Sequence, residues 1–134
     1  MKFSTACAYA LRALVFLARR GGDGLLVAHV FAGVRGMPEE YLGKTLKGLV
    51  RAGILLSSRG PTGGYRLARP PKRISLLDLV EAVDGPVRGD VPRWAADANG
   101  ARLDARLKEV CDAAAEVVRA RLRKVSVADL AREG

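Results

Sequence analysis

The stretch from Pro38 to Leu67, PEEYLGKTLKGLVRAGILLSSRGPTGGYRL, limits the fold more than any other part of the chain. Leu42, Leu46, Leu49 and Val50 recur at helical spacing, and Glu40, Lys44, Lys47 and Arg51 fall on the opposite face. Gly53 ends that helix, and ILLSS reads as a short strand. The tight turn RGPTGG then leads into a second strand at Tyr65, Arg66 and Leu67. Upstream, residues 25–34 read as a short helix, with Arg35, Gly36 and Met37 as the turn and Pro38 at the first helical position. Two helices joined by a short Gly-containing turn, followed by a hairpin with a basic tip, predict a winged helix-turn-helix. That is a DNA-binding shape.

The charge is placed to match. The chain of 134 residues carries a net +9, but residues 1–73 hold 13 Lys and Arg against 3 Asp and Glu, a net of +10. Residues 74–134 hold 10 against 11. A basic excess confined to the helix-and-wing half suits a phosphate backbone. No apolar run approaches the roughly 20 residues needed to span a membrane, and Lys2 followed by a capped helix start does not read as a signal peptide. A cytoplasmic protein with no membrane partner is expected. Two cysteines, Cys7 and Cys111, are too few and too distant for a disulfide framework or a zinc knuckle, and the lone His29 has no ligand partner nearby. Nothing pairs a histidine with a nucleophile, or two carboxylates in an apolar setting, so no enzyme is expected. Gly43, Lys44 and Thr45 look like the end of a phosphate-binding loop. However, six residues rather than four stand between Gly36 and Gly43, and Gly43 sits inside a helical pattern.

In a helix-turn-helix the second helix enters the major groove, its N-terminal residues against the base edges. Here those residues are Pro38, Glu39, Glu40 and Tyr41. Glu40 can accept from a cytosine amino group, Lys44 and Lys47 can reach guanine or phosphate, and Arg51 extends the basic face. The same spacing also permits a plain solvated face held by Glu40–Lys44 pairing. The wing offers Ser58, Arg59, Gly60, Pro61, Thr62 and Gly63. An arginine at such a tip suits a narrow, strongly negative minor groove, and glycines let the backbone approach.

The remaining segments supply a frame. Ser4 caps a first helix striped by Leu11, Leu14, Val15 and Ala18, with Cys7 as a small buried thiol in its first turn. Ser75 caps another, striped by Leu76, Leu79, Val80 and Val83 and ended by Asp84, Gly85 and Pro86. Residues 86–101 are irregular, with Trp94 expected against a helix, and are the expected place for a sensing loop. From Leu103 the pattern becomes regular: Leu103, Leu107, Val110, Ala114 and Val117, with Val118 and Leu122, keep a helical seam. A helix of about 24 residues is about 36 Å long and outreaches a small winged domain. Its seam is expected to pack on a second copy. The expected fold is mainly α, an α+β winged helix-turn-helix with a long C-terminal dimerisation helix. It divides into a DNA-binding unit (1–73), a connecting helix and loop (74–100), and a dimerisation helix with its tail (101–134).

Four segments carry a family resemblance: MKFSTACAYALRALVFLA, PEEYLGKTLKGLVRAGIL, SSRGPTGGYRLARPPKRISLLDLVEAVDG and the closing VSVADL. With these the chain resembles the Rrf-two (IscR-like) winged-helix transcription regulators from end to end. The resemblance implies a homodimer on a palindromic double-stranded DNA operator, and a repressor is expected. It places Pro38, Glu40 and Tyr41 at the major groove and Arg59, Gly60 and Pro61 at the minor groove. Gly43 departs from the glutamate of some iron–sulfur relatives, so their base preference does not carry over. Many relatives hold an iron–sulfur cluster through three cysteines before the long helix. Residues 86–107 contain no cysteine or histidine, and one cysteine cannot hold a cluster. Asp90, Asp97 and Asp104 are hard oxygen donors and poor substitutes. No cofactor and no metal site are expected. The signal is then a small molecule, a partner protein or the redox state of Cys111, where Lys108 one turn earlier would favour the thiolate.

Overall fold

The computed structural model describes residues 1–22, 24–91 and 97–133; Trp94 and its expected packing lie outside them. The chain runs α1 (Thr5–Arg20), α2 (Ala28–Arg35), α3 (Glu39–Arg51), β1 (Leu55–Ser58), β2 (Gly64–Leu67), a 3-10 turn (Pro71–Arg73), α4 (Leu76–Asp84), α5 (Ala98–Arg123) and α6 (Val127–Ala131). α1 packs against α3, α4 and α6. Its cap does two jobs. The Ser4 hydroxyl accepts from the Cys7 amide at 3.0 Å and donates to Asp84 Oδ1 at 2.8 Å, fastening the start of α1 to the end of α4.

Three differences from the sequence reading concern helix starts, the first being that α5 opens at Ala98, capped by Asp97, inside the stretch 86–101 read as irregular. α2 begins at Ala28, because Leu26 exchanges both backbone hydrogen bonds with Tyr65, at 2.9 and 2.8 Å. Leu26 is thereby drawn out as a third rung beside the hairpin and buried, rather than opening the helix. Pro38 is the extended N-cap of α3 and Glu39 its first residue; lacking an N–H, Pro38 suits either position. His29 is exposed on α2 and takes no core role.

β1 and β2 pair antiparallel, Leu55 opposite Leu67 and Ser58 opposite Gly64. Leu14, Leu17, Leu42, Leu46, Leu49, Ile54, Leu79 and Val127 fill one core that all these elements share, each such side chain contributing about 1.5–3 kcal/mol by leaving water. α6 is tied into this frame. Leu76 N donates to the Val125 carbonyl at 2.7 Å and Val127 N to the Ile74 carbonyl at 2.8 Å, so the starts of α4 and α6 lie side by side. Each carries a reciprocal cap, Ser75 with Asp78 and Ser126 with Asp129. Hydrogen bonding from Ser126 holds the Asp129 carboxyl below its usual range. Ser75→Ala removes the acceptor for the Asp78 amide and should cost about 1 kcal/mol, read as a lower urea midpoint with unchanged slope.

α5 runs for 26 residues, about 39 Å, and touches its own chain mainly through α4. Arg119 bridges to Glu81 at 2.9 Å and to the Val87 carbonyl at 3.3 Å, locking the two helices. The seam read as one dimerisation stripe divides. Val118 and Leu122 turn into the protein's own core, whereas Leu103, Leu107, Val110, Ala114 and Val117 face outward. The physical reason is rotation. At 100° per residue, Leu107, Val110, Ala114 and Val117 lie within about 40° of Leu103 round the helix, whereas Val118 and Leu122 lie about 60° and 100° to one side, where the rest of the protein packs.

Candidate nucleic-acid interface

α3 has two chemically opposite faces. Leu42, Leu46 and Leu49 are fully buried, and Thr45 satisfies its half-turned hydroxyl by donating to the Tyr41 carbonyl at 3.0 Å. On the other face Glu39, Glu40, Tyr41, Lys44, Lys47 and Arg51 are all exposed, with Pro38 beside them. Tyr41 is steadied from below: its ring meets Tyr9 of α1 edge-on, centroids 5.6 Å apart. Sequence reasoning missed Tyr9, since a contact between residues 32 positions apart leaves no local signal.

The wing tip is built by backbone geometry. Gly63 N donates to the Gly60 carbonyl at 2.9 Å, closing a turn with Gly60 at φ 98°. A Cβ on Gly63 would lie 2.4 Å from the Ser58 carbonyl oxygen, so only glycine fits there. Ser58, Arg59, Gly60, Pro61 and Thr62 are exposed, and Gly63 is half-buried.

The helix and the wing meet across a cleft of about 400 Å³. Lys47 and Arg51 line one wall, Ser58 and Arg59 the other, with Tyr65 alongside. The expected basic residues of the two elements therefore face one space. No ion pair engages Glu39, Glu40, Lys44, Lys47, Arg51, Arg59 or Arg66 among the described residues, and the Glu40–Lys44 pair permitted by spacing does not form. Cations with no internal counter-charge repel one another and attract phosphate. The surface is prepared for an anion.

The cysteines lie in different settings. Cys7 is buried in α1 and donates through Sγ to Asp84 Oδ2 at 3.1 Å. Burial first, and then this hydrogen bond, push its thiol up to about 11, so it stays protonated at neutral pH. Cys111 is half-buried on α5. Lys108, expected beside it, is drawn instead to Asp112, Nζ to Oδ1 3.0 Å, and towards the Gly89 carbonyl. Asp90 pairs with Arg88 at 3.5 Å, and Asp97 caps α5 by accepting from the Gly100 amide at 2.8 Å.

A family model described as "Rrf2: Iron-dependent Transcriptional regulator" matches residues 3–133. The HTH-type transcriptional regulator CymR of Bacillus subtilis is 33% identical over 87 residues, 65% of this chain and 63% of its own length. IscR of Cereibacter sphaeroides is 38% identical over 89 residues, 65% of this chain and 57% of its own. The sequence match thus spans less than two thirds of these curated relatives. Among solved structures, CymR (YrzC), the global cysteine regulator of B. subtilis, superposes with a TM-score of 0.75 at 27% identity, covering 98% of this chain and 96% of that one. T. potens IscR gives 0.71 at 28% identity, covering 97% and 85%.

The family description raises iron, and the donor set can be tested against it. A cluster takes several thiolates or imidazoles. This chain offers a buried, protonated Cys7 tied to Asp84, a Cys111 on another helix and one exposed histidine. Among the described residues no three His, Cys, Asp or Glu gather where they could hold a metal ion. These residues do not fit a three-cysteine cluster. No helix among the described residues is long and apolar enough to cross a membrane. The wing and its helix are instead those of transcription factors, and, matched from residue 3 to residue 133 and over the same fold, this chain belongs to the Rrf2 family of DNA-binding transcriptional regulators.

Proposed function

We propose that this protein is a homodimeric repressor that binds a palindromic operator in the cytoplasm, with α3 in the major groove and the wing in the minor groove, and works without an iron–sulfur cluster. The observation that carries the DNA contact is the cleft between α3 and the wing, where Lys47, Arg51 and Arg59 converge with no carboxylate partner among the described residues. Lys44, Lys47 and Arg51 lie along the phosphate-facing side of the helix, while Glu40 and Tyr41 stand at its N-terminal end for base contact. The exposed stripe on α5 supports the dimer: Leu103 is 59%, Val110 51% and Val117 65% exposed on one helix. Large apolar side chains aligned in this way mark an interaction surface. A two-fold axis would then place the two α3 helices on successive half-sites.

Arg59→Ala tests the wing. Removing a minor-groove arginine should weaken operator binding by about 1–3 kcal/mol and reduce the slope of log affinity against log salt by about 1. Fluorescence anisotropy on labelled operator at several salt concentrations reads both. Affinity and slope unchanged from wild type would remove the wing from the mechanism.

A further inference from the structure

α3 carries two glycines within its span, Gly43 and Gly48. Glycine is the poorest helix former after proline, so each weakens the helix that holds it. Gly48 has a neighbour. A Cβ there would meet the Ala82 carbonyl at 3.8 Å, where α3 packs on α4. Gly43 has none: a Cβ on it would meet no atom of the described residues within 4 Å. Its backbone is ordinary right-handed helix, which any residue adopts. Neither packing nor conformation therefore asks for glycine at this position. Its place on the helix is informative. At 100° per residue Gly43 lies between Glu39 and Lys47, about 40° from each, and about 60° from Glu40. Those three side chains are exposed, and none is in an ion pair among the described residues. Gly43 is thus a notch in the solvent-facing side of α3, with carboxylates at one end and an ammonium at the other.

We propose that Gly43 is where the α3 backbone comes into direct contact with base edges, and that its missing side chain is a steric determinant of the sequence read. This rests on the seating of α3 in the major groove. That groove is about 12 Å wide and a helix with its side chains about 10–12 Å across, so depth of entry is set by side-chain size. With only hydrogens on its Cα, position 43 lets a base edge, a thymine methyl included, touch the backbone. Glu40 and Lys47 then reach the bases on either side, one as acceptor and one as donor. A side chain at 43 would hold the helix away and lengthen both polar contacts, which weaken steeply with distance. The helix gives up stability at this position and gains fit.

The test uses the full chain, the duplex that the wild-type protein selects from random DNA, and a scrambled duplex of equal length. Gly43→Ala should raise Tm by about 2–5 °C, because alanine propagates a helix better. It should nevertheless weaken binding to the selected duplex about tenfold. Gly43→Leu, a larger side chain and also a good helix former, should weaken it at least about a hundredfold and melt no lower than wild type. Affinity for the scrambled duplex should stay within about twofold in both, since phosphate contacts carry no sequence. Gly48→Ala, at ordinary contact distance from Ala82, should raise Tm similarly and leave both affinities unchanged. Gly43 variants that bind the selected duplex like wild type, or lose both duplexes equally, would overturn the proposal. So would a lower Tm for Gly43→Ala, which would give the glycine a structural reason. A wild-type protein that selects no duplex would overturn the DNA-binding reading itself, so the two failures are told apart.

Discussion

Leu107→Asp is expected to turn the protein into monomers and to weaken binding to a two-half-site operator by about 10²–10⁴-fold. Leu107 is 42% exposed at the middle of the outward α5 stripe, between Leu103 and Val110. A carboxylate buried there opposite its own symmetry mate would be both desolvated and repelled, a cost no neighbouring cation on that stripe offsets. Because Leu107 leaves its own core untouched, the monomer should remain folded with nearly the wild-type circular dichroism. Affinity for a single half-site should also change little. The loss belongs to avidity: the second half-site is then met from bulk solution rather than at the effective concentration set by the dimer. Sedimentation equilibrium and binding to full and half operators separate the terms. A Leu107→Asp protein that stays dimeric would place the interface elsewhere.

Leu46→Ala is expected to cost about 2–5 kcal/mol, a large part of the 5–15 kcal/mol that holds a domain of this size together. Leu46 is fully buried on the inner face of α3. Truncation leaves a cavity beneath the helix that carries the proposed DNA face, so packing is lost from the core and the helix loses its seat. Thermal unfolding should fall by the order of 10 °C. Lys47→Ala, one residue on and on the exposed face, should leave Tm nearly unchanged while weakening DNA binding. That contrast is diagnostic. If one helix holds stability on one side and recognition on the other, as proposed, adjacent substitutions should separate them.

What the sequence made readable was local. The caps at Ser4 and Ser75 stand where a hydroxyl beside an apolar stripe predicts them, and α3 with its wing follows from periodicity and turn chemistry. Contacts made at a distance were not readable. Residues 25–27 continue an apolar run and read as helix, yet Tyr65, some forty positions on, claims the backbone of Leu26 for the sheet. The seam from Leu103 to Leu122 reads as one surface, but periodicity fixes only that a face is apolar, never which partner covers it. Its final turn serves the protein's own core. The cleft between α3 and the wing had its residues named in advance, though not the convergence of Lys47 and Arg51 on Arg59.

Selection of bound duplexes from random DNA by the purified protein, followed by sequencing, tests the central claim most directly. A dimer presenting two α3 helices and two wings predicts one enriched motif. Its arms should be inverted repeats whose centres lie about one helical turn, 10–10.5 base pairs, or a multiple of it apart. Loss of enrichment as salt is raised should accompany it. Recovery of no preferred sequence, or of a single unrepeated half-site, would contradict the account: the first would deny sequence reading by α3, and the second would deny the two-fold arrangement of α5.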